Sequence, residues 1–325
     1  MNKKIFFISS FILFFSCDNQ NEDGPISNET VFNEVYLSSD EVACKGKLFY
    51  SPSFPSTYLS RTINAYTVAC NYFGDVRPLE LWLTANTEEE AKALRNRWCD
   101  YRQSQDITFN AEWCQRSQIG VNLANYVYWS NIYYKGMEKE HHQLNLCSFS
   151  FSNNDLSAEY VTIHEFFHAY QSSHLDNDIY NTPESRDENL GRNKNGNNPW
   201  HTEGSADFFG HYLTSISGHP NHFKEEFERR IDIVEKIIDT NFTLLDLTYE
   251  IEGSYYVGSW AIVYLISMHS IEDYLGFYDI LNEDGFANGF LKSFSQSLED
   301  FDKSFSNWFR SSSRVEKMQL LSNIQ

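Results

Sequence analysis

Residues 158–171 read AEYVTIHEFFHAYQ, and within them His164-Glu165-Phe166-Phe167-His168 forms an HExxH pattern. On an α-helix, residues four apart project from the same face, so His164 and His168 can hold one ion together. Glu165 lies one step round the helix, where it can reach a water on that ion as a general base. Val161, Ile163, Phe166, Phe167 and Ala169 are what a buried helix carries, and Asn154 or Asp155 offers an N-cap upstream. The plain alternative is a core helix with two satisfied histidines. A third ligand, an orienting acid and an oxyanion donor elsewhere would separate the two readings.

Downstream, Glu203 follows His168 by 35 residues, at the start of another helical run, Glu203-Gly204-Ser205-Ala206-Asp207. A hydrolytic zinc ion takes three protein ligands and keeps one position open for water. Glu203 is the candidate third ligand. The small residues at 204–206 predict that this helix packs closely against the HExxH helix. Asp207 is one turn beyond Glu203 on the same face. There it can accept the spare N–H of a zinc-bound imidazole and fix its tautomer. The alternative is a helix N-terminus whose acids favour its dipole.

HExxH followed by ExxxD resembles the gluzincin metallopeptidases, the group of thermolysin-like, aminopeptidase N-like and collagenase-like enzymes. The resemblance implies Zn2+ as cofactor, His164, His168 and Glu203 as its ligands, Glu165 as general base and Asp207 as the orienter of His164. Thr202 stands where the group commonly has Asn or Glu. Tyr255-Tyr256-Val257-Gly258 is similar to the Tyr-x-x-Gly helix of aminopeptidase N-like enzymes, whose Tyr donates to the tetrahedral oxyanion. The matching position is Tyr255, with Tyr256, about 100° away on a helix, as the alternative. Gly136-Met137-Glu138 resembles the strand whose Glu holds a substrate amine in those enzymes. It continues Lys139-Glu140 where they have Asn, which favours an endopeptidase over an aminopeptidase.

The whole chain has 325 residues, with 25 basic against 45 acidic residues and a net charge of −20. Nothing supplies the basic stripe that nucleic acid requires, and an acidic surface is read simply as solubility. Asn2-Lys3-Lys4 is a positive n-region, residues 5–15 are apolar but too short to span a bilayer comfortably, and Ser16-Cys17 follows. This resembles a bacterial lipoprotein signal, departing from it at Phe14-Phe15. It implies a diacylated Cys17, export, and a lipid anchor in the cell envelope, at the outer membrane or cell surface. An ordinary secretory signal with an incidental Cys17 is the alternative. In an oxidising compartment Cys44, Cys70, Cys99, Cys114 and Cys147 allow up to two disulfides, with the pairing open.

The expected organisation is a signal peptide at 1–16, an acidic flexible tether at 17–30, an α+β subdomain at 31–171 ending in the HExxH helix, and a helical subdomain at 172–325 carrying the third ligand. Residues 79–83 (LELWL) read as a buried strand, and Thr87 with Glu90 as a capping box opening a helix. Residues 119–134 suggest one or two strands. Residues 144–151 alternate as another, placed where many zinc peptidases have the sheet edge that takes substrate as an added strand. Residues 172–199 form a long polar connection, in which Asp176 and Asp178 lack the rest of a calcium loop. Helices are expected from Pro199 to a stop at Gly218, then at 222–239, 254–269, 273–281, 286–295 and 298–309, the last with Ser297 and Asp300 in capping-box spacing. His141, His142, His174, His201, His211 and His219 read as surface or structural residues, with His201 and His211 able to approach the site. The fold class is α+β: an N-terminal mixed β-sheet with helices joined to a mostly α-helical C-terminal half, zincin-like, with the active site at the junction. The expected function is zinc-dependent hydrolysis of peptide or protein substrates. The alternatives are a surface binding lipoprotein that retains zinc without turnover, and hydrolysis of a non-peptide amide.

Overall fold

A computed structural model of the chain describes residues 33–37, 46–74, 76, 79–84, 88–105, 129–132, 142–147, 156–175, 190–191, 198–239 and 243–324. The architecture is α+β. Strands β1 (Asn33–Leu37), β2 (Gly46–Tyr50), β3 (Leu79–Thr84), β4 (Trp129–Ile132) and β5 (His142–Cys147) form one sheet in the order β1-β2-β3-β5-β4. Leu81, Trp82 and Leu83 are all buried, as a central strand covered on both faces requires. β3 runs parallel to β2 (Leu48 beside Leu81) and to β5 (Leu81 beside Leu144), while β1 and β4 are antiparallel to their neighbours. A parallel pair needs a crossover. Helix α1 (Ser56–Phe73) supplies it between β2 and β3, and α2 (Glu88–Gln105) follows β3. The strand expected at 144–151 is therefore interior. The outer strand is β4, so the sheet edge assigned to β5 belongs to β4. Both strands pack against the HExxH helix.

That helix, α3, spans Ser157–Ser173, with Leu156 at the cap position and no side-chain cap bond. α3 lies between α1 and α4 (Thr202–Ile216). The first turn of α4 opens early, because the Glu203 N–H already donates to the Pro199 carbonyl at 2.9 Å, and Asn198 Oδ1 accepts from the Trp200 N–H at 3.4 Å. Gly218 ends it at φ 124, a conformation that suits glycine. In α5 (His222–Ile238) the residues at helical spacing, Phe223, Phe227, Ile231, Val234 and Ile238, are all buried as expected. α6 (Ser254–Met268) is apolar nearly all round and lies in the core. α7 (Ile271–Asp279), α8 (Leu281–Phe294, broken at Gly285), α9 (Leu298–Ser311) and α10 (Arg314–Ile324) complete the helical half. Ser297 caps α9 by accepting from the Asp300 N–H at 3.1 Å. Strands β1 and β2 and helices α1 and α10 add to the expected elements.

One buried apolar cluster runs from Leu48 of β2 through Phe166 and Phe167 of α3 to Leu321 of α10. Cys70 and Cys99 are each disulfide-bonded. Among the described residues no helix is long and apolar enough to cross a membrane. The leader at 1–16, Cys17, the tether at 17–30, Thr87, residues 136–141, Asn154, Asp155, Asp176 and Asp178 lie outside the described residues, as do Cys44 and Cys114.

Candidate metal centre

Helical spacing puts His164 and His168 one turn apart on α3, and the first turn of α4 brings Glu203 opposite them. His164 Nε2 and His168 Nε2 are 3.2 Å apart, and Glu203 Oε2 lies 3.4 Å from the first and 3.2 Å from the second. Three ligands at about 2.0–2.1 Å from a tetrahedral zinc ion stand about 3.3–3.4 Å from one another. The three donor atoms therefore match one face of such a tetrahedron, with the fourth corner left over. These residues are the one group of potential ligand residues that clusters this way among those described.

The other atoms of the ligands explain why the three face one another. Gln171 donates its amide N–H to the Thr202 carbonyl at 3.1 Å, so its Oε1 faces His168 Nδ1 at 2.8 Å and accepts from it. His168 Nε2 is then an unprotonated lone pair. His164 Nδ1 is 3.4 Å from the Tyr160 hydroxyl, which itself donates to Asp207 Oδ1 at 2.6 Å. His164 Nδ1–H is thus the donor to Tyr160, and its Nε2 is also bare. Glu203 Oε1 accepts from the Tyr249 hydroxyl at 3.0 Å. Three potential ligand atoms converge in a buried space, an arrangement that a shared proton or a bound cation would hold together. The donor set of two imidazoles and a carboxylate suits zinc.

Asp207, assigned from sequence as the direct orienter of His164, acts through Tyr160. Tyr160 lies one turn before His164 on the same face, and its ring fills the gap. The shorter Asp207 is drawn into a buried ion pair with Arg230, within 3.5 Å of His211. Burial alone would raise the Asp207 carboxyl, but Arg230, His211 and Tyr160 outweigh it and hold it far below the usual carboxylate range. Arg230 also donates to His211 Nε2 at 2.6 Å, and Tyr160 stacks on the His211 ring at 4.1 Å. His201 and His211 are both buried. Burial lowers His201 to about 3 against the carbonyl of Leu190, and burial with Arg230 lowers His211 to about 4 against Asp207. Both are neutral partners beside the site.

Glu165 is buried on α3 between the two histidines in sequence. Tyr255 and Tyr256 at the start of α6 face different ways. The Tyr255 ring lies 6.5 Å from that of His164, whereas Tyr256 covers the Arg230 guanidinium at 4.3 Å. The structure therefore brings the ring of Tyr255, and not that of Tyr256, to the side of His164. Two glycines make this approach possible. A Cβ on Gly204 would lie 2.4 Å from the Gly258 carbonyl carbon, and one on Gly258 would lie 2.4 Å from the Trp200 carbonyl oxygen. α4 does pack closely on α3, as the run of small residues predicted, but Gly204 itself seats α4 against α6. The close approach to α3 falls to Gly210, packed on the Tyr160 ring.

Sequence reasoning missed Tyr160, Gln171 and Tyr249. The first two carry a readable signal, since they sit four residues before His164 and three after His168 on the ligand face. Tyr249 carries none, being brought in by the turn before α6. No protein-family model matches the chain, and no curated protein matches it.

Proposed function

We propose that the chain is a zinc-dependent peptide-bond hydrolase, an endopeptidase of zincin-like architecture on an exported, lipid-anchored protein. The observation that carries this reading is the convergence of His164, His168 and Glu203 at tetrahedral spacing, against the helix that also carries the buried Glu165. A zinc ion held there supplies Lewis acidity toward water and toward a substrate carbonyl. Glu165 takes a proton from the attacking water and returns it to the nitrogen of the leaving amine. The Tyr255 hydroxyl, on the ring beside His164, donates to the carbonyl oxygen as it gains negative charge. Tyr160 and Gln171 keep the N–H of each histidine turned away from the ion. Tyr249 holds the free oxygen of Glu203, so that its partner oxygen stays aimed at the histidines.

The test is zinc content together with cleavage of a generic peptide library. The expected outcome is one zinc per chain, with turnover in Glu165→Gln lowered roughly 10²–10⁴-fold and zinc retained. Zinc with no turnover on any peptide would make this a binding lipoprotein, and absence of bound metal would sink the site altogether. Cleavage only of substrates with a free N-terminus would make it an aminopeptidase.

A further inference from the structure

We infer that Arg230 is a positioning residue that couples two parts of the site, the side chains behind His164 and the helix turn that carries Tyr255. The bracket itself is read from geometry, while its purpose rests on the metal reading above. Arg230 is buried on α5, and its guanidinium reaches both α4 and α6. One terminal nitrogen pairs with Asp207 Oδ2 and the other donates to His211 Nε2 at 2.6 Å, both partners being on α4. Tyr256, in the first turn of α6, covers the guanidinium with its ring at 4.3 Å. Asp207 accepts from the Tyr160 hydroxyl of α3 at 2.6 Å, and that hydroxyl lies 3.4 Å from His164 Nδ1. Tyr255 precedes Tyr256 on α6, with its ring 6.5 Å from that of His164. One guanidinium is thus connected through two side chains to His164, and through a single peptide unit to Tyr255.

Stability does not call for a charge at this depth. Desolvating a guanidinium and a carboxylate costs about as much as their attraction recovers, and apolar side chains of similar volume fill such a space equally well. What the pair adds is direction. The guanidinium is a rigid plane whose N–H groups point outward within it, here toward Asp207 and His211, and whose face is left for an aromatic ring. Two contacts to α4 fix that plane, and Tyr256 rests on it. The plane therefore sets the rotation of α6 about its own axis. Tyr255 sits about 100° round the same turn, so that rotation carries its side chain toward His164 or away from it. Glu226, one turn earlier on α5, stands 3.8 Å from Arg230 and bonds to Arg229 instead. Lysine would keep a positive charge beside Asp207, but an ammonium is a point charge with no plane for Tyr256 to cover.

The experiment uses the full chain in two double-mutant cycles, since residues that act through one another give non-additive effects. In the first, chelator competition gives the zinc affinity of wild type, Arg230→Lys, Tyr160→Phe and the pair. Each single change should weaken binding about tenfold, and the pair no more than about twofold beyond the weaker single variant. In the second, kcat and KM are measured at saturating zinc on one peptide substrate for Arg230→Lys, Tyr255→Phe and the pair. Arg230→Lys should lower kcat about tenfold with KM within about twofold, and should change kcat less than about twofold once Tyr255 is replaced. Losses that multiply in either cycle, or a lower Tm with both readouts unchanged, mean that Arg230 serves packing alone and overturn the proposal. If Arg230→Lys does not fold, Tyr256→Leu decides, because it removes the ring and leaves the pair with Asp207 in place. It should lower kcat with zinc affinity unchanged, and an unchanged kcat overturns the proposal. Metal-free protein labelled with fluorotyrosine separates the two readings. The fluorine NMR signals of Tyr160 and Tyr255, assigned by their loss in the Phe variants, should both shift in Arg230→Lys. Unshifted signals overturn the bracket, whereas a wild-type chain that binds no zinc removes the metal reading and leaves the bracket to be judged by these signals.

Discussion

At the scale of single residues, two aromatic hydroxyls divide the work around His164. Tyr160 holds the back of the ring through Asp207, and Tyr255 lies beside its face. Tyr255→Phe should therefore leave zinc content unchanged and lower kcat by roughly 10²–10³, with little change in KM, because the donor matters only once the oxyanion forms. Steady-state kinetics on one good peptide substrate checks this, and an equal loss in Tyr256→Phe would reassign the donor. His211 makes a different prediction. Burial and Arg230 lower it to about 4 from 6.5, so between those values the unfolded chain binds a proton that the folded one refuses. Its contribution to stability is complete above about 6.5 and is lost as the pH falls toward 4, a change on the order of 3 kcal/mol. Asp207 stays ionised across that window and adds nothing to the slope. Urea unfolding of metal-stripped protein from pH 7 to about 4.5 should show the decline, and His211→Gln should make it shallower without abolishing it, because the buried His201, lowered to about 3, titrates across the same window. An unchanged slope in that variant would place the titration elsewhere.

At the scale of elements, the metal centre depends on how α4 sits between α3 and α6. Gly258→Ala places a methyl group against the Trp200 carbonyl, where backbone must move. The expected cost is about 1–3 kcal/mol. In addition, kcat should fall because Tyr255 travels with α6 while His164 stays on α3. A lower Tm with unchanged kcat would mean that the glycine serves packing alone. What the sequence reveals here follows from range. HExxH and ExxxD are local patterns of helical period, so both helices and the three residues that cluster between them could be read directly. The partner of Gly204 is a matter of packing between elements far apart in sequence, and no spacing rule points to α6. The order of strands is hidden for the same reason, since β5 reads as an edge until β4 pairs outside it. α1 escaped notice because its buried stripe, Tyr58, Thr62, Ala65, Tyr66, Ala69 and Cys70, mixes aromatic and small residues in place of aliphatic ones.

At the scale of the molecule, one apolar cluster joins the sheet to the helical half, and the ligands lie on two helices within it. An ion held there, as proposed, would therefore stabilise the whole fold. At free zinc about 100-fold above Kd the gain is about 2.7 kcal/mol. Thermal unfolding with and without a chelator should show a Tm that rises with zinc concentration, and a Tm indifferent to zinc would argue that the ion does not bind the folded form.

On the proposed metal reading, the spacing of the three residues would also set how fast an ion exchanges. His164 and His168 come together as soon as one turn of α3 forms, whereas Glu203 arrives only when α4 docks. Loading would then run helix first and carboxylate last, with release in reverse. Opening of the first turn of α4 frees one ligand without unfolding the core, and such local openings need less free energy than global unfolding. The lifetime of a loaded protein in a chelator would thus be governed by the fraying of one helix end.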